Sequence, residues 1–352
     1  MNILFLSRLF YPHIGGVEKH VLQISKILIQ KGHKITVITE SHAKDLKKKE
    51  NFGGIRILRI SVGENDWFKK FRIWKELIKL KTLIEEADIV HCHDVFFWYF
   101  PFVFLHPKKK VYVTFHGYED YPIPKKAILV RRLSEKLSKG NICIGDFMKK
   151  WYGVKPTFVI YGGVNKYQIS NTRLAAKRVK YQKEQKLTNP NSAVFVGRLD
   201  EQTGIRTYVK AVKLIQKKIP DFKFLVIGDG ELRENIKKSV RILGFRKFPS
   251  KYFDKYHFAF VSRYLSILEA MASKRLVFAI YDNPLKKDYL KMAPFSKNIV
   301  IVESPEELSD EVSHFLNNPE KERVMVDNGF EWVKSQTWGK VTDTYLNLWN
   351  KK

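Results

Sequence analysis

The sequence predicts an α/β fold made of two doubly wound, Rossmann-like domains that face a cleft. Short apolar runs alternate with longer amphipathic stretches, which is typical of parallel sheets covered by helices. This alternation lapses once, in a basic and polar stretch after residue 165, and then starts again. The length of 352 residues suits two such domains, each with its own core. We expect ligands to bind in the cleft, at the carboxyl ends of the strands.

Seven strands and a long first helix are expected in the first half. The helix is predicted at about 17–30, because Val17, Val21 and Leu28 fall on one face. Gly32 suits the C-terminal cap of that helix. The strands are predicted, in chain order, at Asn2–Ser7, Lys34–Thr39, Ile55–Ile60, Asp88–Cys92, Val111–Phe115, Asn141–Ile144 and Thr157–Ile160.

Five further strands are expected in the second half, and an amphipathic helix closes the chain. Trp338, Tyr345 and Leu348 recur at helical spacing and predict a helix at about 338–349. The strands are predicted at Ser192–Gly197, Phe222–Ile227, His257–Ser262, Leu276–Ile280 and Asn298–Val302. The predicted organisation is an N-terminal domain at 1–165, a basic linker at 166–191, a C-terminal domain at 192–336 and a terminal segment at 337–352.

The formal net charge is +28, from 64 Lys and Arg against 36 Asp and Glu. This excess favours a polyanionic partner, such as a phosphorylated small molecule or an anionic membrane. We expect no nucleic-acid partner, because no binding module for one is recognisable and the charge is spread over both halves. Cys92 and Cys143 are too few for a disulfide framework and favour a reducing, cytoplasmic compartment. The most apolar stretch, Val95–Leu105, is about half of the ~20 residues that a spanning helix needs, and no signal peptide is recognisable at the N-terminus.

Three features of the first half are candidate sites. Gly15 and Gly16 open the first helix, where backbone N–H groups can meet a phosphate, although a tight turn explains them equally well. His116 ends an apolar strand beside a glycine, so we expect it in the ligand crevice. His91 and His93 share one face of a strand, as zinc ligands can, but no third or fourth ligand follows at a matching spacing. We therefore predict no metal site.

Two features of the second half are candidate sites. Arg198 ends a strand, and its planar guanidinium suits a diphosphate, although a surface arginine would look the same. Glu269 follows a later strand and could hold ligand hydroxyls. The alternative is a capping box, in which Ser266 and Glu269 bond the backbone at the start of a helix. The turn at 228–230 (Gly-Asp-Gly) is most simply structural.

A basic, aromatic segment at 66–84 (DWFKKFRIWKELIKLKTLI) could lie on an anionic membrane. The alternative is an ordinary surface helix with one face in the core. The aromatic run at 96–104 and the lysines at 108–110 add weight to the membrane interpretation.

Several ordered motifs resemble the retaining, nucleotide-sugar-dependent glycosyltransferases of the GT-B fold, in glycosyltransferase family 4. The resemblance covers nearly the whole chain. FYPHIGGVEKHVLQISKILIQKGHKITVIT is similar to that family's first strand–loop–helix–strand unit, ADIVHCHD and VTFHGYE to its next strand ends, and IYGGVN to the motif before its linker. VGRLDEQTG, LVIGDGELRE and LEAMASK resemble its nucleotide-binding domain, and TWGKVTDTYLNLW resembles its helix that crosses back to the first domain.

The resemblance implies roles for single residues. His116 would lie beside the transferred sugar, Arg198 would hold the donor diphosphate and stabilise the charge on the leaving group, and Glu269 would bind the nucleotide ribose. These three would be the catalytic residues. The resemblance also implies that no metal or other cofactor is needed. The expected donor-binding residues are Gly15, Gly16, Arg198, Thr203, Ser266, Leu268 and Glu269.

Two departures from the family pattern stand out. Thr203 occupies the position at which the family carries a lysine for the diphosphate. In addition, the loop before Glu269 is about four residues short, and the first glutamate of the family's pair is replaced by Val261.

The sequence thus predicts a retaining glycosyltransferase, cytoplasmic and peripheral at the inner membrane face. Its expected partners are a nucleotide-sugar donor, a glycan or lipid-linked acceptor and an anionic membrane surface. The alternative is a catalytically weakened protein that binds a nucleotide sugar or a partner without transfer.

Overall fold

A computed structural model describes residues 1–13, 15–165, 190–246 and 248–351. Most of the predicted linker, 166–189, lies outside these residues. The chain forms two compact units: residues 1–160 together with 338–352, and residues 161–337. Each unit is built on one sheet covered by helices, so the predicted α/β class with two Rossmann-like sheets is confirmed.

The first unit contains an eight-stranded sheet in the order β3-β4-β2-β1-β5-β6-β7-β8. All neighbouring strands are parallel except β3 and β4, which form an antiparallel pair at one edge. The strands are β1 (Asn2–Ser7), β2 (Lys34–Glu40), β3 (Lys49–Phe52), β4 (Ile55–Ile60), β5 (Ile89–His93), β6 (Val111–Phe115), β7 (Asn141–Ile144) and β8 (Phe158–Ile160). Because the central strands are covered on both faces, they read as continuous apolar runs.

Seven α-helices of the described residues accompany this sheet, six of them before residue 161 and one at the end of the chain. They are α1 (Gly16–Gln30), α2 (Lys69–Lys79), α3 (Lys81–Glu86), α4 (Phe100–Leu105), α5 (Lys125–Leu137), α6 (Phe147–Tyr152) and, from the C-terminus, the helix Trp338–Asn350, named α13 below. The C-cap of α1 is Lys31, and the expected glycine follows it as a left-handed Gly32 with φ +84°; the N–H of His33 bonds to the carbonyl of Leu28. The return of α13 to the first unit brings both ends of the chain into one core.

The second unit contains a six-stranded parallel sheet in the order β11-β10-β9-β12-β13-β14. Its strands are β9 (Ser192–Val196), β10 (Lys223–Ile227), β11 (Arg241–Ile242), β12 (Phe258–Phe260), β13 (Leu276–Ile280) and β14 (Val300–Val302). Its helices are α7 (Ile205–Lys218), α8 (Arg233–Ile236), α9 (Tyr264–Ala272), α10 (Pro284–Lys291), α11 (Pro305–Asn317) and α12 (Pro319–Lys334). The rings of Tyr208, Phe260 and Phe278 pack together in the core.

The strand predictions hold to within about two residues at each end, and two strands were not predicted. β3 reads as KENF, which is polar and short, and it forms only through a hairpin with β4. β11 has two residues and pairs with β10 at the edge of the sheet. Within the part of the chain that the structure describes, we find no helix long and apolar enough to cross a membrane.

Candidate functional site

His116 lies directly after β6, at the carboxyl edge of the first sheet. Its Nε2 lies 2.8 Å from Nδ1 of His93 at the end of β5, and its backbone N–H donates to Asp94 Oδ1 at 2.9 Å. The ring centroids of His116 and His20 are 4.8 Å apart. Burial, with repulsion from neighbouring histidines and Arg131, holds the pKa of His116 well below its usual range. The ring is therefore neutral at pH 7, in a fixed orientation.

A chain of hydrogen bonds joins α13 to β5, β6 and α1. Trp349 Nε1 donates to Nδ1 of His91 at 3.0 Å, so a neutral His91 carries its proton on Nε2 and donates it to Thr114 Oγ1 at 2.8 Å. The Thr114 and Tyr345 hydroxyls are 2.8 Å apart, and the Tyr345 hydroxyl lies 2.9 Å from Nε2 of His20. Burial lowers the pKa of His20 to about 3, which leaves its ring neutral. If each hydrogen bond runs in one direction, from Trp349 to His20, then His91, both hydroxyls and Nε2 of His20 all have a partner.

The sequence indicated only part of this cluster. His91 and His93 do share one strand face, and both rings contact Tyr345, at centroid distances of 4.9 and 6.1 Å. Nothing in the sequence indicated His20, because it lies on a helix whose predicted role was only packing. No group of three or more His, Cys, Asp or Glu side chains is arranged to hold a metal ion in the described part of the chain.

Asp94 is a second residue that sequence analysis did not assign a role. It follows β5 with a left-handed φ of +60°, which is uncommon outside glycine. Its side chain keeps about 33% of its surface exposed, yet desolvation raises the pKa of its carboxyl to about 6 despite the attraction of Arg131 at 3.9 Å. Arg131 in turn donates to Glu119 at 2.9 Å and lies over the ring of Tyr152. Asp94 thus fixes the backbone of His116, and Arg131 lies near the same carboxylate oxygen.

Gly15 and Gly16 form the start of α1, as predicted. Gly15 is the N-cap in an extended conformation, and Gly16 is the first helical residue. A Cβ on Gly15 would collide with the carboxylate of Glu18, which is buried and lies 3.2 Å from the His13 ring. The Glu18 carboxylate thus fills the space beside Gly15, as expected for a tight turn. Phosphate binding at the start of α1 stays a prediction.

Arg198 lies after β9, at the carboxyl edge of the second sheet, and is exposed. One guanidinium nitrogen lies 3.0 Å from Asp200 Oδ2. The loop is fixed by the neighbouring turn, because the N–H of Leu199 donates to the carbonyl of Asp229 at 3.0 Å. A Cβ on Gly228, whose φ is +150°, would collide with the carbonyl oxygen of Gly197. The Gly-Asp-Gly turn is thus structural, as expected, and what it positions is the Arg198 loop.

Thr203 is buried and points into the same loop. Its hydroxyl lies 3.0 Å from the carbonyl oxygen of Arg198 and 2.8 Å from that of Asp200, and its N–H donates to Asp200 Oδ1 at 3.1 Å. The side chain therefore closes the loop from within. Thr203 therefore supplies no positive charge to a diphosphate, and its hydroxyl is already bonded within the loop.

Ser266, Leu268 and Glu269 lie on α9, beyond the end of β12. This helix begins at Tyr264 after the N-cap Arg263, so Ser266 is already its third residue. The capping-box alternative is therefore wrong, because the helix begins two residues before Ser266 and its N-cap is Arg263. Ser266 is half-buried, and Leu268 and Glu269 are buried.

The segment at 66–84 contains α2 and most of α3, and it is a surface helix pair with one face in the core, as the second interpretation predicted. Ile73 and Leu77 are buried, as in any surface helix. Trp67, Phe68 and Phe71 are nevertheless exposed, at 71, 63 and 48% of their surface. Together with Lys70, these three aromatic residues are called the aromatic knuckle below. Lys70 Nζ lies 4.3 Å from the Trp67 ring centre and 4.9 Å from that of Phe71.

The loop before α2, which carries Trp67 and Phe68, is bonded by one arginine of α2. The Arg72 guanidinium donates to the carbonyl of Val62 at 2.6 Å, to that of Glu64 at 2.7 Å and to Asp66 Oδ1 at 2.8 Å. This segment follows β4, whereas His116 follows β6, and both strands run parallel within one sheet. The aromatic knuckle and His116 therefore follow strands that end at the same edge of the first sheet.

Comparison with known proteins agrees with this architecture. Residues 14–167 match the Glycosyltransferase Family 4 domain, and residues 190–318 match the domain called Glycosyl transferases group 1. An uncharacterised glycosyltransferase of Methanocaldococcus jannaschii is 25% identical, over 97% of this chain and 95% of that protein. One component of the human phosphatidylinositol N-acetylglucosaminyltransferase is 24% identical over 69% of this chain, and the match spans only 53% of the human protein.

A similar solved structure is that of Anabaena HepE in complex with UDP and glucose. The two folds superpose with a TM-score of 0.74 over 99% of this chain and 98% of the other, at 14% sequence identity. At this identity the likeness establishes the fold alone. The first match contains seven of the eight strands of the first sheet, and the second match contains all six strands of the second sheet. Residues 14–167 accordingly belong to a domain of glycosyltransferase family 4 and residues 190–318 to a domain of the glycosyl transferases group 1, on the two-sheet fold of the GT-B glycosyltransferases.

Proposed function

We propose that this protein transfers a sugar from a nucleoside-diphosphate sugar to a glycan or lipid-linked acceptor, with retention of the anomeric configuration and without a metal ion. The observation that carries the proposal is Arg198, an exposed guanidinium at the carboxyl end of β9 in a loop that Thr203 and the Gly228–Gly230 turn hold in place. A planar guanidinium can bond two diphosphate oxygens at once. Binding of UDP and glucose by the structurally similar HepE supports a nucleotide-sugar donor.

In the proposed reaction, a hydroxyl oxygen of the acceptor forms a bond to the anomeric carbon while the bond from that carbon to the diphosphate oxygen breaks. Both events occur on the same face of the sugar, and the acceptor proton passes to the leaving phosphate. Arg198 stabilises the negative charge that develops on the diphosphate. Donors that are already in place stabilise this charge without reorganisation, which is the electrostatic task that a metal ion performs in other enzymes.

His116 is proposed to bind the transferred sugar, and Glu269 the nucleotide ribose. The neutral state of His116 suits hydrogen bonding to sugar hydroxyls, and the Asp94 contact keeps its backbone in place. The proposed donor-binding residues also include Gly15, Gly16, Thr203, Ser266 and Leu268.

A lipid-linked acceptor is favoured by the aromatic knuckle. Aromatic side chains and lysines held together on a surface suit the head-group region of an anionic membrane. Because the aromatic knuckle and His116 follow strands that end at the same edge of the first sheet, an acceptor embedded in a membrane would meet the protein on the His116 edge. We therefore propose peripheral binding at the inner membrane face. The human relative, whose name includes phosphatidylinositol, supports this acceptor class.

Equilibrium binding and hydrolysis assays over a panel of nucleoside-diphosphate sugars test the proposal. At least one donor should bind and turn over slowly, and Arg198→Ala should weaken binding and lower the rate of turnover by about 100- to 1000-fold. Arg323→Ala is the matched control, because Arg323 is an exposed arginine of the same unit that pairs with Glu320 on its own helix. If no donor binds, or if the two variants behave alike, the proposal is wrong.

A second candidate is a protein that binds nucleotide sugars without transferring them. It is favoured by the inward-facing Thr203 and by the shortened loop before Glu269. It predicts donor binding with no transfer to any acceptor. Turnover that is lost in His116→Ala or Glu269→Ala would exclude this candidate.

A further inference from the structure

Lys286 is a buried lysine whose ammonium group lies against the turn that contains Thr203. It is the third residue of α10, and its backbone N–H donates to the N-cap side chain of Asn283 at 2.9 Å. Its side chain is only 1% exposed, and Nζ donates to the carbonyl of Gln202 at 2.6 Å. Nζ also lies 3.5 Å from the position that a Cβ on Gly204 would take. The positive charge of Lys286 therefore lies against the turn formed by residues 202–204.

The charge of Lys286 lacks the compensation that a buried ammonium normally has. Within the described residues, its ammonium has the Gln202 carbonyl as its hydrogen-bond acceptor and no carboxylate at salt-bridge distance. Asp282, before α10, and Asp200 are the acidic groups whose charges act on it, and Arg263 acts against it. Burial lowers the pKa of Lys286 to about 8. A buried cation with so little compensation is costly, and an anion bound nearby would remove that cost.

Arg263 brings a second cation to the same turn. It is the N-cap residue of α9, and one guanidinium nitrogen lies 3.4 Å from Oε1 of Gln202. Tyr264 and Tyr289 stack at 3.8 Å, and the N–H of Tyr264 donates to the Tyr289 hydroxyl at 2.9 Å. These contacts lock α9 against α10. Two cations from two helices thus converge on Gln202, at the carboxyl edge of the second sheet.

We propose that Lys286, with Arg263 beside it, supplies the positive charge on the donor diphosphate that Thr203 cannot supply. The cation is thus on α10, after β13, and not in the loop after β9. Its ammonium group lies against Gln202, in the turn that contains Thr203. Thr203 is free to close the loop from inside because α10 provides the cation. This inference rests on the proposed function, since it assumes that a nucleoside diphosphate binds beside Arg198.

Comparing diphosphates with monophosphates tests the inference. UDP, GDP and ADP and the matching monophosphates are titrated into the wild-type protein and into Lys286→Met. For the diphosphate that binds, Lys286→Met should weaken binding ~10- to 100-fold, because a buried charge acts on a nearby anion through space with little screening by solvent. Its effect on the monophosphate should be no more than about twofold. Lys287→Met is the control, because Lys287 is the exposed neighbour on the same helix and should leave both affinities unchanged.

The outcomes separate this inference from the proposed function. If no diphosphate binds to the wild-type protein, both are wrong. If a diphosphate binds and Lys286→Met matches Lys287→Met, only the inference is wrong. Equal losses for diphosphate and monophosphate would mark Lys286 as a structural residue and would also overturn the inference.

Two further measurements examine the charge itself. The double variant Thr203→Lys/Lys286→Met restores a cation to the turn and should regain at least tenfold in diphosphate affinity. No regain would contradict the inference. In addition, diphosphate binding at pH 8 should take up protons in the wild-type protein, because the bound anion raises the pKa of Lys286. Calorimetry in buffers of different ionisation enthalpy measures this uptake, and the same uptake in Lys286→Met would contradict the inference.

Discussion

The hydroxyl of Tyr345, on the last helix, lies 2.9 Å from Nε2 of His20, on the first helix, although 325 residues separate them. Tyr345 also meets Thr114 of β6, two residues before His116. The ends of the chain are thus joined by hydrogen bonds beside the residue proposed to bind the sugar. The end of α13 is joined to the same group, because Trp349 donates to His91.

Removing the Tyr345 hydroxyl tests how much its hydrogen bonds to His20 and Thr114 contribute to the free energy of unfolding. Tyr345→Phe leaves the buried Nε2 of His20 without a partner and the Thr114 hydroxyl with His91 alone. We expect a loss of about 1–3 kcal/mol in the free energy of unfolding, the cost of unsatisfied buried polar groups. Urea denaturation followed by tryptophan fluorescence measures the loss. Tyr281→Phe is the control, because Tyr281 bonds to Glu303 near the surface, and it should cost less than about 0.5 kcal/mol. Equal effects of the two variants would contradict this account.

The buried histidines predict a falling stability at acidic pH. Burial lowers the pKa of His20, His91, His93 and His116 in the folded protein, whereas unfolded histidine titrates near its ordinary value of 6.5. The unfolded state therefore binds more protons as the pH falls below about 6.5. The free energy of unfolding should fall with a slope of up to about 1.4 kcal/mol per pH unit for each histidine.

Asp94 works in the opposite direction, because its pKa is raised to about 6 in the folded state and the folded protein takes up this proton first. Its contribution offsets roughly one histidine between pH 6 and its ordinary value of 3.8. Urea denaturation at pH 7.5, 6.5 and 5.5 measures the net slope. His20→Gln can still accept a hydrogen bond from Tyr345. It should reduce the slope by up to about 1.4 kcal/mol per pH unit, which corresponds to one proton fewer. A stability that does not change from pH 7.5 to 5.5 would show that these histidines already bind protons when folded.

The close approach of Gly228 to Gly197 predicts that a side chain at position 228 weakens nucleotide binding. Gly228→Ala would place a Cβ against the carbonyl oxygen of Gly197, at a φ of +150° that favours glycine. We expect the 197–199 turn to shift, with diphosphate binding weakened ~10-fold or more, since a small misplacement of a binding group is costly. Gly32→Ala is the control, because its φ of +84° is also strained but the space around it is open. If Gly228→Ala binds as well as Gly32→Ala, the turn does not position Arg198.

The aromatic knuckle predicts binding to anionic membranes. Trp67→Ser/Phe68→Ser should weaken binding to vesicles that contain phosphatidylglycerol at least tenfold, because two exposed aromatic side chains no longer enter the head-group region. Phe248→Ser is the control, because Phe248 is an exposed aromatic residue of the other unit. Co-sedimentation with anionic and neutral vesicles measures the effect. Equal binding of the wild-type protein to both kinds of vesicle, or binding to neither, would contradict the membrane interpretation.

Much of the fold could be predicted from the sequence, because buried parallel strands such as β13 (LVFAI) are unbroken apolar runs. β3 could not, since its residues KENF are polar and it becomes a strand only beside β4. The positions of His116 and Arg198 at strand ends were also predictable, because strand ends can be read from the pattern of apolar runs. Their supporting contacts were not.

The residues that were missed share one property: their partners are remote in sequence. Lys286 meets Gln202 across 84 residues, and His20 meets Tyr345 across 325. A sequence pattern records local periodicity and carries no signal for such pairs. Thr203 is the exception, because a threonine at the expected lysine position indicates that any second cation on the diphosphate comes from another element of the fold.

The central claim is that Arg198 stabilises a departing nucleoside diphosphate during sugar transfer. Its most direct test is the transfer of radiolabelled sugar from a panel of nucleoside-diphosphate sugars to a membrane lipid extract. The wild-type protein should label lipid with at least one donor, and Arg198→Ala should lower the rate by about 100- to 1000-fold, as the loss of one preorganised donor to a developing negative charge does in other enzymes. No labelling with any donor, or an Arg198→Ala rate equal to that of the wild-type protein, would contradict the claim.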